Sequence, residues 1–241
     1  MRDEGGVLGA LLENGARSLN LDLPAGAIKA FELFYELLES RNMAVNLTAI
    51  TDAVDVARLH FLDSIALLNA VRFKGSRVID VGSGAGLPGI AIKIAEPSAA
   101  LTLLDSSGKR TAFLSELIAA LGIDAECVNA RAEDAARTLL YREKYDFAVS
   151  RAVARLNVLC ELCLPFIRVG GLFIAMKGVD TSDELSEAGN AIENLGAEFR
   201  ECFDYIIPGT EIHHRAVLIQ KTSETPAKYP RRFARIQKAP L

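Results

Sequence analysis

The sequence predicts an α/β fold: a doubly wound sheet, mostly parallel, ending in an antiparallel hairpin and preceded by a helical extension. Three observations carry this. From Arg77 onwards short apolar runs alternate with helical patterns, the signature of a parallel sheet with helices on both faces. The last two strand-like runs, residues 199–207 and 213–220, are separated only by Pro208-Gly209-Thr210-Glu211-Ile212, too short for a crossover, so they must pair antiparallel. Before Arg77 the apolar residues recur instead at helical spacing.

Taken in order, a short helix is expected near 7–19 and an amphipathic one over 26–40, where Ile28, Phe31, Phe34, Tyr35 and Leu38 share a face. Asn46-Leu47-Thr48 marks a bend before a second long helix over 52–70. Parallel strands follow at 77–81, 100–104, 125–128, 145–149 and 171–176, with the near-continuous apolar character of strands covered on both faces. Helices near 89–95, 107–121, 133–141, 155–168 and 182–195 lie between and after them. The chain thus divides into a helical extension (1–75), a sheet core (76–221) and a basic tail (222–241).

Composition sets outer limits. The 241 residues are 50% hydrophobic and 24% charged, enough for a sizeable buried core. No apolar run approaches the ~20 residues needed to span a bilayer, and the first residues lack the basic-then-apolar pattern of a secretory signal. A cytoplasmic protein with no membrane association is expected. Cys127, Cys160, Cys163 and Cys202 are too sparse for a disulfide framework, and Cys160-x-x-Cys163 lacks the second ligand pair a structural zinc site needs, so no metal is expected. Net charge is −4, but from Lys221 to Leu241 six cations meet one anion, giving +5 there and −9 on residues 1–220. A basic edge on an acidic body suits a polyanionic partner.

The chemistry concentrates where the first strand should pass into a helix, at Asp80-Val81-Gly82-Ser83-Gly84-Ala85-Gly86-Leu87-Pro88-Gly89. Glycines there let the backbone turn tightly and approach a ligand, and Pro88 suits a first helical turn. Asp105 closes the second strand, placed to accept hydrogen bonds from both ribose hydroxyls. Together these predict an adenosine-bearing cofactor. Because Gly84-x-Gly86-x-x-Gly89 also satisfies the dinucleotide fingerprint, an NAD(P)-dependent oxidoreductase stands as an alternative. The extra Gly82 and Asp80 resemble the acidic-x-Gly-x-Gly-x-Gly turn of methyltransferases. The five parallel strands and closing hairpin likewise resemble the class I methyltransferase fold, which is Rossmann-like without a parallel sixth strand. S-adenosylmethionine is therefore the expected cofactor. After the third strand, Asn129-Ala130-Arg131-Ala132-Glu133-Asp134 can bracket an adenine edge. After the fourth, Ser150-Arg151-Ala152-Val153-Ala154 lacks the Asn/Asp-Pro-Pro-aromatic motif common in enzymes that methylate exocyclic amines, so the acceptor is expected to be neither an amide nor an amino nitrogen.

Ordered motifs extend the match along nearly the whole chain. Asn46-Leu47-Thr48, His60-Phe61-Leu62-Asp63-Ser64, the glycine turn, Leu104-Asp105-Ser106-x-x-Lys109-Arg110-x-x-Phe113-Leu114, Ser150-Arg151-Ala152, Met176-Lys177-Gly178 and Tyr229-Pro230-Arg231-Arg232 with Lys238-x-Pro240-Leu241 occur in sequence. In this the chain resembles the bacterial glucose-inhibited division protein B family, the 16S ribosomal RNA guanine-N7 methyltransferases. The resemblance implies that Gly82, Leu87, Ala132, Glu133 and Arg151 line the methyl-donor pocket, to which fold logic adds Asp80, Gly84 and Asp105. It implies as substrate one guanine of 16S rRNA, presented within the small ribosomal subunit, and we expect a monomer. Phe233-Ala234-Arg235-Ile236-Gln237 departs from the glycine- and proline-containing tail of such relatives, which leaves the path of the tail open.

Guanine N7 carries a free lone pair and loses no proton on methylation, so no general base is required and catalysis reduces to orientation. By α-helical spacing His60, Asp63, Ser64 and Leu67 share one face that could roof the pocket, with Lys177 a candidate contact to phosphate or guanine O6. Lys109, Arg110, Arg231, Arg232 and Arg235 are candidate RNA-backbone contacts. A catalytically silent RNA-binding assembly factor on the same fold is the second alternative.

Overall fold

The computed structural model describes residues 4–241. Helices α1 (Glu4–Ser18) and α2 (Ala27–Val45) form the start of the N-terminal block. Phe31, Phe34 and Leu38 of α2 are buried with Leu8 and Leu12 of α1, as the helical spacing requires. Asn46, in the left-handed region at φ 53°, ends α2. Asp52 then caps the next helical stretch, its carboxylate accepting from the backbone N–H groups of Val54 and Asp55.

That stretch is continuous but not uniformly α-helical. It runs through α3 (Ala53–Asp55), a π-helical segment Val56–Leu62, α4 (Asp63–Ile65) and a 3₁₀ turn Ala66–Asn69. The wider π turn changes the angle between successive side chains, so the i, i+3, i+4, i+7 face expected of His60, Asp63, Ser64 and Leu67 is not a single pocket-facing stripe. Ser64 is fully buried and donates to the carbonyl of His60 instead.

The core alternates β1 (Arg77–Val81), α5 (Gly89–Ala95), β2 (Ala100–Asp105), α6 (Gly108–Leu121), β3 (Ala125–Asn129), α7 (Ala132–Ala135), β4 (Tyr145–Arg151), α8 (Leu156–Cys163) and β5 (Ile167–Gly178). After α9 (Ser182–Asn194) come β6 (Ala197–Ile206) and β7 (His213–Lys221). The sheet order is β3-β2-β1-β4-β5-β7-β6. The first five strands pair parallel, while β7 runs antiparallel to both β5 and β6, as the short connection demands. Strand order reverses between β1 and β4, and ligands of open α/β sheets bind outside the carboxyl ends of the strands at that switch.

Two connections differ from expectation. The helix expected over 133–141 shrinks to α7, because residues 136–143 form a series of turns. The helix expected over 155–168 ends at Cys163, and Leu164–Phe166 is a 3₁₀ turn containing Pro165, which has no N–H to continue a ladder. Beyond β7 the chain packs back on the body and ends in α10 (Phe233–Lys238), with Tyr229 and Ile236 buried. No helix among the described residues is long and apolar enough to cross a membrane.

Candidate functional site

A cavity of about 840 Å³ opens at the carboxyl ends of the strands. Its volume is within the range of small-molecule sites. One side is the turn after β1. Gly82, Gly84 and Gly86 adopt φ of 78°, 56° and 92°, backbone that L side chains rarely accept. A Cβ on Gly82 would stand 2.6 Å from the Val153 side chain, and one on Gly89 would stand 2.7 Å from Asp80 Oδ2. The turn therefore needs glycine for its shape and for close packing.

Asp80 lies beneath the turn and does not line the cavity. Its Oδ2 accepts from the Gly89 N–H at 2.8 Å, fixing the start of α5, while its buried Oδ1 has no partner. Burial, and to a lesser extent Asp105, pushes its carboxyl up to about 7 against the Gly89 hydrogen bond and the Arg151 charge. The expected direct contact with a cofactor is thus replaced by support of the turn from below. Asp105 does face the cavity, with Oδ2 accepting from the Gly84 N–H at 3.0 Å and Oδ1 from the Ser107 N–H at 2.8 Å. A carboxylate has about four lone-pair positions, so two remain for a ligand's hydroxyls. Leu87, Ala132 and Glu133 also line the cavity. Glu133 is buried, and its carboxylate makes no hydrogen bond or ion pair among the described residues, an acceptor without a donor at the cavity wall.

Elsewhere on the cavity wall, four parts of the chain meet on Asp63. Its carboxylate, 1% exposed, pairs with Arg151 Nη1 at 2.9 Å and His214 Nδ1 at 2.7 Å, and accepts from the Tyr205 hydroxyl at 2.8 Å. Burial opposes ionisation of Asp63, but the hydrogen bond from His214 and the charge of Arg151 outweigh it and hold the carboxyl below the ordinary range. Arg151 also donates to the Leu59 carbonyl. His60 Nε2 lies 2.7 Å from Thr48 Oγ1, and burial together with Arg151 lowers its pKa to about 4, so its ring is neutral near pH 7. His60, Asp63, Arg151 and His214 all line the cavity. Sequence reading missed His214 and Tyr205; they belong to β7 and β6, whose strand pattern gave no sign that their side chains reach the N-terminal block.

Lys177 reaches the cavity too, but its Nζ donates to the Ala154 carbonyl and to Glu184, each at 2.7 Å. It ties the loop after β4 to α9 rather than presenting a free ammonium. Among the expected RNA contacts, Lys109, Arg232 and Arg235 are exposed and Arg110 is half-exposed, 3.7 Å from Asp105. Arg231 is not available in the same way: it grips the fully buried Glu161 through Nη2 at 2.6 Å, Nε at 2.9 Å and its backbone N–H at 2.7 Å. A carboxylate at 0% exposure demands such a partner, so Arg231 serves the fold where an RNA contact is expected. No group of three or more metal-ligating side chains occurs among the described residues.

The sequence model of the GidB family, rRNA small subunit methyltransferase G, matches residues 27–203. The chain is similar to the ribosomal RNA small subunit methyltransferase G of Alkaliphilus oremlandii (strain OhILAs), 44% identical over 233 residues covering 96% of this chain and 98% of that protein. It is also 44% identical over 237 residues to the protein of the same name from Pelotomaculum thermopropionicum (98% and 99% covered). Among solved structures it shares its fold with M. jannaschii TYW2 in complex with AdoMet (TM-score 0.51, 12% identity, 66% of this chain and 76% of that one). A predicted O-methyltransferase, protein Atu636 from Agrobacterium tumefaciens, is alike to the same degree (TM-score 0.51, 18% identity, 70% and 83%).

Proposed function

We propose, for a chain that belongs to the rRNA small subunit methyltransferase G family, that it transfers a methyl group from S-adenosylmethionine to N7 of one guanine in the 16S rRNA of the small ribosomal subunit. The observation that carries the reading is the cavity itself. A glycine turn at the β1–β4 switch, Asp105 with lone pairs to spare and the unpartnered Glu133 carboxylate fit the backbone, ribose and base of an adenosine-bearing donor. The antiparallel β7 and the family favour the methyl donor over NAD(P).

The donor supplies an electrophilic methyl on a sulfonium. Guanine N7 brings its own lone pair and loses no proton, so the chain supplies no base. Its contribution is orientation, which can account for several kcal/mol of a barrier. Gly82, Gly84, Leu87, Asp105, Ala132 and Glu133 hold the donor side. Asp63 stays ionised and fixes Arg151 and His214 in the cavity wall; Arg151, expected in the donor pocket, is thereby assigned to the acceptor side, while neutral His60 adds no charge of its own. A carboxylate near the purine also favours the positive charge that develops there. Lys109, Arg110, Arg232 and Arg235 are the proposed RNA-backbone contacts, and the enzyme acts in the cytoplasm.

The test is methyl transfer from labelled donor to small subunits lacking the modification, followed by strand cleavage specific for N7-methylguanine. A single labelled, cleaved site in 16S rRNA is expected. Donor binding without labelling would favour a silent assembly factor, and binding of NAD(P) without S-adenosylmethionine would overturn the donor assignment.

A further inference from the structure

The C-terminal segment is fastened to the body at many points. Besides the Arg231–Glu161 pair, Arg137 donates to the carbonyls of Lys228 and Pro230, and Arg142 donates to those of Thr225 and Tyr229 at 2.6 and 3.0 Å. Ile236 of α10 is fully buried in the cluster that contains Leu159 and Leu162 of α8. The strap thus has anchors besides Phe233. Its ring is half-buried, packs against the same apolar cluster as Ala130 and Ala132, and lines the cavity with them, with the Arg131 guanidinium 5.7 Å from its centroid.

Position decides what Phe233 would meet. The glycine turn lies at the end of β1, whereas Asp105 ends β2 and residues 130–133 follow β3, so the cavity extends from the switch point toward the sheet edge formed by β3. Phe233 stands with the β3 residues, at the far end from the turn. An aromatic ring left partly open in a cavity wall gains most when a flat apolar group covers it.

We propose that Phe233, presented by the C-terminal strap, is a wall of the adenine subsite, so that the tail of this chain takes part in holding the donor. This rests on the donor reading above. Residues that shape the β1 end should act on the methionine part of a ligand, and Phe233 on the base.

Calorimetric titration of the full chain with methylthioadenosine and with S-adenosylhomocysteine tests this, because only the second carries the amino-acid part. Phe233→Ala should weaken both ligands by the same factor, about tenfold. Phe233→Leu keeps apolar bulk against the buried cluster but removes the ring, and should weaken both nearly as much, whereas Phe233→Tyr should bind like the parent. Parent-like affinity of Phe233→Leu for both ligands would reduce Phe233 to packing and overturn the inference. Loss confined to S-adenosylhomocysteine would overturn it too, by putting the residue at the wrong end. If the parent protein bound neither ligand, the donor reading itself would fall, an outcome distinct from parent binding that the variants leave unchanged.

Discussion

The glycine turn and the Asp63 cluster both line one cavity, but they are assembled in opposite ways. The turn is one stretch of chain, Asp80 to Gly89, shaped by backbone that only glycine accepts readily and braced from below by Asp80. The cluster gathers side chains from distant positions: Arg151, Tyr205 and His214 lie 88, 142 and 151 residues from Asp63. A local element of this kind can hold a ligand through backbone shape. A cluster dispersed along the chain depends on every participating strand and helix being in place.

The sharpest way to break the first half is Gly82→Val. With φ at 78° and the Val153 side chain 2.6 Å from a Cβ, a branched residue cannot enter without moving the turn or the loop after β4. S-adenosylmethionine binding should fall by about 100-fold or more by titration, while the far-ultraviolet circular dichroism stays near that of the parent. Undiminished binding would show that the turn does not form the donor wall.

Arg231→Ala probes the strap beside that half. It leaves Glu161 buried without its partner, which should cost about 3 kcal/mol, read as a lower denaturation midpoint. A solvated tail, by contrast, would show no change.

Smaller effects separate the two halves by pH. Asp80 titrates near 7 in the folded protein because burial favours its neutral form, so its contribution to stability falls as pH rises from about 4 to about 7. His60 is lowered to about 4, so its contribution falls in the other direction, as pH drops from about 6.5. The two offset each other in the parent. Relative to it, Asp80→Asn should gain stability as pH rises from about 5 to about 7, and His60→Gln should gain as pH falls from about 6.5 to about 5, both by denaturant titration. The smallest change is expected from Arg235→Glu at the exposed face of α10, which should reduce the steepness of RNA binding against salt by about one unit of log–log slope.

The same contrast explains what could be read from the chain directly. Strand and helix order, the hairpin and the glycine turn are local patterns, and all appear in the structure, although the helices expected over 133–141 and 155–168 are shorter. Where the structure differs, something outside apolar spacing intervened, locally at Pro165, which ends the helix expected over 155–168, and nonlocally elsewhere. Ser64 and the helical face around His60 were misplaced because a π segment is not visible in apolar spacing. Arg231 looked like a surface cation because nothing in its neighbourhood announces that Glu161, 70 residues earlier, is fully buried. Asp63 and Arg151 were individually legible, but their joint dependence on His214 and Tyr205 came only with the antiparallel pairing that brings β6 and β7 beside the N-terminal block.

The central claim is that donor holding and acceptor alignment are separable across this cavity, and Asp63→Asn measures it most directly. Asparagine keeps the size but places an N–H₂ against donors that Asp63 now satisfies, releasing Arg151 and His214. Single-turnover methyl transfer to small subunits at an S-adenosylmethionine concentration that saturates the parent, with the variant confirmed folded, should fall about 100-fold while the donor dissociation constant stays within about threefold of the parent value. Full recovery of the rate on adding more donor would contradict the account, since the Asp63 cluster would then be serving the donor rather than the base.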